Sequence, residues 1–253
     1  MAKYFQTTFQ GKTYQVDFDQ PIDLSIPLRA GIEQVNCYYA EPVVYETIRQ
    51  GNFVGSVAEG GPCNYQRVHL TPHGNGTHTE CYGHISADPQ AIITQCLQQF
   101  MAFALLITLS PLPQGTDWVL TQAQLEAALG ELEPEAVVIR TLPNGIEKQY
   151  RQYSGTNPPY LTAAAAEYLC RKRVQHLLID LPSVDREQDE GRLSAHKNFW
   201  NWEVAIRQQA TITELIYVAP EVLDGWYLLN LQIISLTTDA SPSKPILYRL
   251  NAV

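Results

Sequence analysis

The chain is short of cations: seventeen lysines and arginines stand against twenty-six aspartates and glutamates, a formal charge of −9. Such a surface repels phosphate backbones and anionic lipid, so neither nucleic acid nor a membrane is an expected partner. Long apolar runs are missing too. The longest, FMAFALLITL at Phe100–Leu109, is too short to span a bilayer and reads as a buried strand. The opening stretch MAKYFQTTFQGKTYQ holds no apolar core of a secretory signal. Five scattered cysteines (Cys37, Cys63, Cys81, Cys96 and Cys170) form no C-x-x-C pair, which argues for reduced thiols rather than a disulfide framework. There is no G-x-S-x-G elbow and no phosphate loop or dinucleotide fingerprint; the GNG at 74–76 lacks their context. These absences predict a cytoplasmic protein that acts on a small molecule.

No repeat or low-complexity linker divides the sequence, so residues 1–253 read as one domain. KYFQTTFQGKTYQVDF alternates like a hairpin around Gly11-Lys12, and PIDLSIPL continues it as an extended piece. Arg29–Pro62 has little period and is expected to be a long, partly irregular excursion, followed by a strand at Asn64–Leu70. The middle is better signed. TQAQLEAALG carries Thr121 and Gln124 in capping-box spacing and stops at Gly130. LTAAAAEYLCRKR is a second helix, with Thr162 as N-cap and Arg171, Lys172 and Arg173 in its last turn. Between and after these helices lie the β-rich segments AVVIRTL and HLLIDL. That order predicts βαβ units and a mixed α/β fold. Beyond Thr211, ITELIYV, YLLNLQIISL and PILYRL read as strands with no intervening helix.

What the chain does have is HGNGTHTECYGH, His73 to His84, holding half of its six histidines. In extended chain His78, Glu80 and His84 share a face, so two imidazoles and a carboxylate can meet. These are ligand types for zinc and manganese. His73 has the wrong parity and joins only if Gly74 or Gly76 permits a bulge or turn that inserts one residue. Cys81 faces away and reads as a buried structural thiol. Asp180 ends a strand and is a candidate to orient a ligand histidine. Ser183, Asp185 and His196 have the residue types of a nucleophilic triad without its local motif.

GTHTECYGH resembles the H-x-G-T-H-x-D-x-P-x-H signature of the cyclase-like metal-dependent hydrolases, the family of bacterial kynurenine formamidase and isatin hydrolase. IDLSIPL, IDLPSVD, AHKNFW and ITELIYV are similar to further segments of that family, in the same order. The resemblance implies a swivelling β/β/α cyclase-like fold and homo-oligomerisation, with Arg29–Pro62 as the exchange surface. It implies His78, Glu80, His196 and Glu214 as metal ligands, Glu80 in the place of an aspartate that can bridge two ions, and His84 as the proton-transfer residue. The family's first ligand histidine falls at Gly74, so His73 takes its role only through a one-residue shift, and Tyr82 stands where proline is usual.

The implied activity is hydrolysis of an amide, formamide or lactam C–N bond, arylformamidase-like, with one or two Zn or Mn ions supplying hydroxide from a bound water at neutral pH. Tyr38, Tyr39, Tyr65, Tyr82, Trp200 and Trp202 are candidates to bind an aromatic substrate. The departures at Gly74 and Glu80 keep two alternatives open. One is a catalytically altered relative that binds a small ligand; the other is a lactonase or dehydratase on the same metal site.

Overall fold

The computed structural model describes residues 4–253. Met1, Ala2 and Lys3, the first residues of the expected domain, lie outside the described residues, and Lys3 also opens the expected hairpin. The rest of that hairpin forms as β1 (Tyr4–Phe9) and β2 (Lys12–Asp17). Its turn is Gln10-Gly11, one residue earlier than expected, and both residues take the positive φ of a tight two-residue hairpin loop.

The apolar segments then build one sheet. Its strands are β3 (Ile22–Asp23), β4 (His78–Glu80), β5 (Met101–Leu109), β6 (Ala136–Thr141), β7 (His176–Ile179), β8 (Thr211–Glu214), β9 (Gly225–Ile233) and β10 (Ala240–Arg249). Strands β5, β6, β7 and β8 run parallel. β4, β10 and β9 follow antiparallel, and β9 pairs back onto β5. Seven of the eight strands thereby close on themselves, with β3 outside on β10. The central parallel strands β6 and β7 are buried along their whole length, which is why they read as near-continuous apolar runs.

The expected crossovers are α1 (Gln122–Leu129), between β5 and β6, and α2 (Ala163–Arg171), between β6 and β7. Thr121 and Gln124 make the capping box, and Thr162 caps α2 by accepting from the Ala165 amide. Of the three basic residues expected in the last turn of α2, only Arg171 is there. Lys172 is the C-cap and donates to the Gly130 carbonyl at the end of α1, while Arg173 has already left the helix with positive φ. A third helix, α3 (Ser194–Phe199), packs on α2. The excursion after Arg29 is more regular than its sequence implied. Val44–Thr47 pairs with Gln66–His69 in an exposed two-stranded ribbon apart from the main sheet.

Candidate metal centre

Strand β4 lies between β8 and β10, and its register places the first donors. Glu214 stands opposite His78, and Ala240 stands opposite Glu80. His78, Glu80 and Glu214 therefore project from one face, all buried. On the other face Thr79 and Thr213 join hydroxyls at 2.8 Å. Parity works here because the chain is extended over 78–80.

Outside those residues it is not extended. Pro72–Asn75 is a single helical turn, and this turn, rather than a β-bulge, brings His73 over β4. Its Nδ1 lies 3.1 Å from Glu80 Oε2. The turn fits because Gly74 lacks a side chain: a Cβ there would stand 2.3 Å from that of Ala40. After β4, Tyr82–Ile85 form a 3₁₀ turn that carries His84 to the cluster, its Nδ1 3.8 Å from Glu80 Oε2. His84 thus joins its expected partners by a turn and not by strand parity. Gly83 is needed in that turn, since a Cβ would meet the Ala91 carbonyl oxygen at 1.9 Å.

The remaining donor arrives on α3. The Asp185 carboxylate accepts from the amides of Ala195 (2.7 Å) and His196 (3.0 Å) and contacts His196 Nδ1 at 2.6 Å. One side chain thus caps the helix and aims the ring. His196 Nε2 points to Glu80 Oε1 at 2.9 Å and lies 3.8 Å from Glu214 Oε1. Glu214 is steadied by the Val184 amide at 2.8 Å, and its other oxygen is 3.4 Å from His78 Nε2.

Electrostatics follow from this packing. Burial favours a neutral Glu80, but the His84 and His196 charges, the His196 hydrogen bond and the His73 contact outweigh it and hold the carboxyl well below its usual range. His196 is raised well above an ordinary histidine: burial opposes the proton, and Glu80 and Asp185 overcome it. His73 is pushed up to about 10, its burial offset by Asp239 and Glu80. Carboxylates gathered out of water demand positive charge.

A divalent cation fits that demand. His78 Nδ1 lies 2.9 Å from the Gly76 carbonyl and donates to it, so Nε2 is the ring atom that faces the cluster. His78 Nε2 and Glu80 Oε2 are both buried and make no hydrogen bond, His78 Nε2 standing 3.4 Å from Glu214 Oε2 and Glu80 Oε2 3.1 Å from His73 Nδ1. Ligand atoms of His73, His78 and Glu80 lie within 4.8 Å of one another, as do those of Glu80, His84 and His196 and those of His73, His84 and Asp239, so Glu80 is common to two of three groups. Imidazole nitrogen with carboxylate oxygen is a donor set that divalent zinc and manganese accept.

The cluster opens into a cavity of about 290 Å³ walled in part by Tyr38, Ala40, Ser183 and Leu193. Among the six aromatic candidates only Tyr38 lines it. Trp200 is buried behind His196, with ring centroids 5.4 Å apart, and Tyr82 belongs to the core. Trp202 packs against the same core, Tyr65 meets Phe53 beside the ribbon, and Tyr39 is exposed.

One expectation needs correction. Asp180 orients no histidine; it pairs with the buried Lys148 ammonium at 2.7 Å and accepts from Thr141. The orienting carboxylate is Asp185. Ser183 accepts from the Asp185 amide, while both ring nitrogens of His196 meet carboxylates, so no base is free for a serine triad. Cys81 is buried as expected, with its thiol near the Ala91 carbonyl. Asp239 escaped the sequence reading altogether. It lies in the loop before β10, 2.8 Å from His73 Nε2 and 3.4 Å from His84 Nδ1, and nothing in its surroundings (TTDASPS) marks it.

The same fold is found in a predicted metal-dependent hydrolase from Bacillus stearothermophilus, with 21% identity, 90% of this chain and 98% of the other covered, and a TM-score of 0.64. An isatin hydrolase bound to the product analogue thioisatinate shares it at 18% identity, 92% and 93% coverage and a TM-score of 0.67. Both likenesses are of fold, and in this chain the closed mixed sheet carries the histidine–carboxylate cluster beside a cavity. The chain belongs to the "Putative cyclase" family, whose model matches residues 22–186, more than half of its length. Its relatives include kynurenine formamidases of Bacillus cytotoxicus, 26% identical over 75% of this chain and 82% of the relative, and of Bacillus mycoides, 25% identical over 93% and 98%.

Proposed function

We propose that the chain is a metal-dependent hydrolase that cleaves the C–N bond of an amide, formamide or lactam. The observation that carries this reading is the pair of buried atoms His78 Nε2 and Glu80 Oε2, which make no hydrogen bond and lie against the cavity-lining Glu214 and His73. His78, Glu80, His196 and Glu214, with His73 beside them, would hold one or two Zn or Mn ions: Glu80 groups with His73 and His78 on one side and with His84 and His196 on the other, and Glu214 lies 3.4 Å from His78 Nε2. A divalent ion held by these residues would supply a water with its pKa lowered to about 7 and would polarise a carbonyl.

The chain supplies the rest. His84 has its Nδ1 toward Asp239 and Glu80, which leaves Nε2 to take the proton of the attacking water and return it to the leaving nitrogen. Tyr38, Ala40 and Leu193 offer apolar walls to a flat ring, which suits the N-formyl aromatic amines and cyclic amides suggested by the names of the relatives. The same reading makes the protein a cytoplasmic homo-oligomer, single-domain over 1–253. The exposed Val44, Tyr45 and Val57 support Arg29–Pro62 as the exchange surface.

Elemental analysis of protein purified without chelator, paired with a panel of N-formyl anilines, isatin-like lactams and lactones, tests the proposal. Near-stoichiometric Zn or Mn with C–N cleavage is expected. A metal-free protein that hydrolyses none of them overturns it, and cleavage of lactones alone favours the lactonase reading.

A further inference from the structure

We infer that Asp239 is a positioning residue of the centre, fixing His73 and His84 against each other across the mouth of the cavity. The inference rests on the proposed function for the roles of those two histidines and adds a third residue that serves both.

The two imidazoles sit at the ends of short turns, where no strand ladder holds them. Each side chain is more than a quarter exposed (27% and 29%), whereas the donors on β4, β8 and α3 are buried. Something else must set their orientation, and a single oxygen does it. Asp239 Oδ2 lies 2.8 Å from His73 Nε2 and 3.4 Å from His84 Nδ1, with the two ring centroids 4.4 Å apart. Because Nε2 of His73 is engaged there, Nδ1 is the atom turned toward Glu80. Because Nδ1 of His84 is engaged, Nε2 is the atom left for substrate. A carboxylate on the far nitrogen fixes which ring atom faces the centre and raises its basicity.

The carboxylate is itself well anchored. Ala240 pairs with Glu80 across the ladder, and the Cys81 amide donates to the Asp239 carbonyl at 3.0 Å. The preceding Thr238 accepts from the Ile93 amide at 2.8 Å. The backbone that places Glu80 therefore also places Asp239. This ties the one-residue displacement of His73 to a partner that holds the displaced ring in register.

The test compares wild type, Asp239→Ala and the near-isosteric Asp239→Asn by Zn²⁺ and Mn²⁺ titration of metal-free protein, steady-state kinetics and crystal structures of the metal-free forms. A positioning role predicts rings of His73 and His84 turned from their wild-type orientation in Asp239→Ala, with metal affinity about 10–100-fold weaker. It also predicts a kcat that falls by a similar factor while KM stays within about threefold, an unchanged number of ions at saturation, and partial rescue by Asp239→Asn, whose oxygen still accepts. Unmoved rings with wild-type affinity overturn the inference. Loss of one ion at saturation also overturns it, because Asp239 would then be a ligand. Failure of the functional reading looks different: the wild type itself would bind no ion and hydrolyse nothing, while the ring orientations would still decide the role of Asp239.

Discussion

The centre has a floor and a mouth, and the two are built by different means. The floor consists of His78, Glu80, Glu214 and His196, each at most 3% exposed, held by strand register and by a helix whose first amides are capped. The mouth consists of His73, His84 and Asp239, carried on a helical turn, a 3₁₀ turn and a loop, each with a side chain about a quarter to a third exposed. In the floor, backbone ladders fix the donors and burial makes each charge depend on its partner. At the mouth, side chains orient one another and water reaches them. Rigidity at the floor suits holding a cation; freedom at the mouth suits moving a proton.

Glu80 is where the comparison breaks most visibly, since it meets both sets. Glu80→Ala should abolish near-stoichiometric metal and reduce kcat/KM by about a thousandfold or more, roughly 4 kcal/mol of transition-state stabilisation. Full metal content with modest loss of rate would place the floor elsewhere. His84→Gln probes the mouth alone: kcat should fall by about 10²–10³ with metal content unchanged. A variant that loses its metal instead would move His84 into the floor. Asp185→Asn loosens the floor from behind by weakening the hold on His196 Nδ1, and about 10–100-fold should be lost from metal affinity or activity. An isothermal metal titration reads it directly.

His176 supplies the smallest contrast, a buried histidine with no carboxylate at hand. Its ring meets Thr211 Oγ1 at 2.8 Å, and burial together with the Arg207 charge pushes its pKa down to about 4. His196, just as buried, is pushed the other way by Glu80 and Asp185. The folded protein keeps His176 neutral while the unfolded chain takes a proton near 6.5. Its contribution is therefore complete above that value and is lost as the pH falls toward 4, by at most about 3 kcal/mol. Denaturant unfolding at stepped pH should show this slope, and His176→Gln should flatten it. Identical slopes would show that His176 does not titrate between the two states.

The floor was largely legible in the sequence and the mouth was not, for a physical reason. Alternation is a property of extended chain, so His78 and Glu80 could be placed on one face from spacing alone. The helices around Thr121 and Thr162 were legible because capping is local. His84 arrives by a 3₁₀ turn and His73 by a helical turn, where strand parity has no meaning. Glu214 and His196 could be assigned only through resemblance, since pairing of β8 with β4 spans more than a hundred residues. Asp185 and Asp180 show the same limit. Both are carboxylates soon after β7, and only the fold decides that one meets His196 and the other Lys148.

Anomalous diffraction at the zinc and manganese edges from crystals grown without chelator tests the central claim most directly. The account predicts a peak at that floor within coordination distance of a Glu80 oxygen and of His78 or His196, the donors of the two groups that share Glu80. An ordered protein showing no peak at that floor, or a peak held only by surface groups, would contradict it.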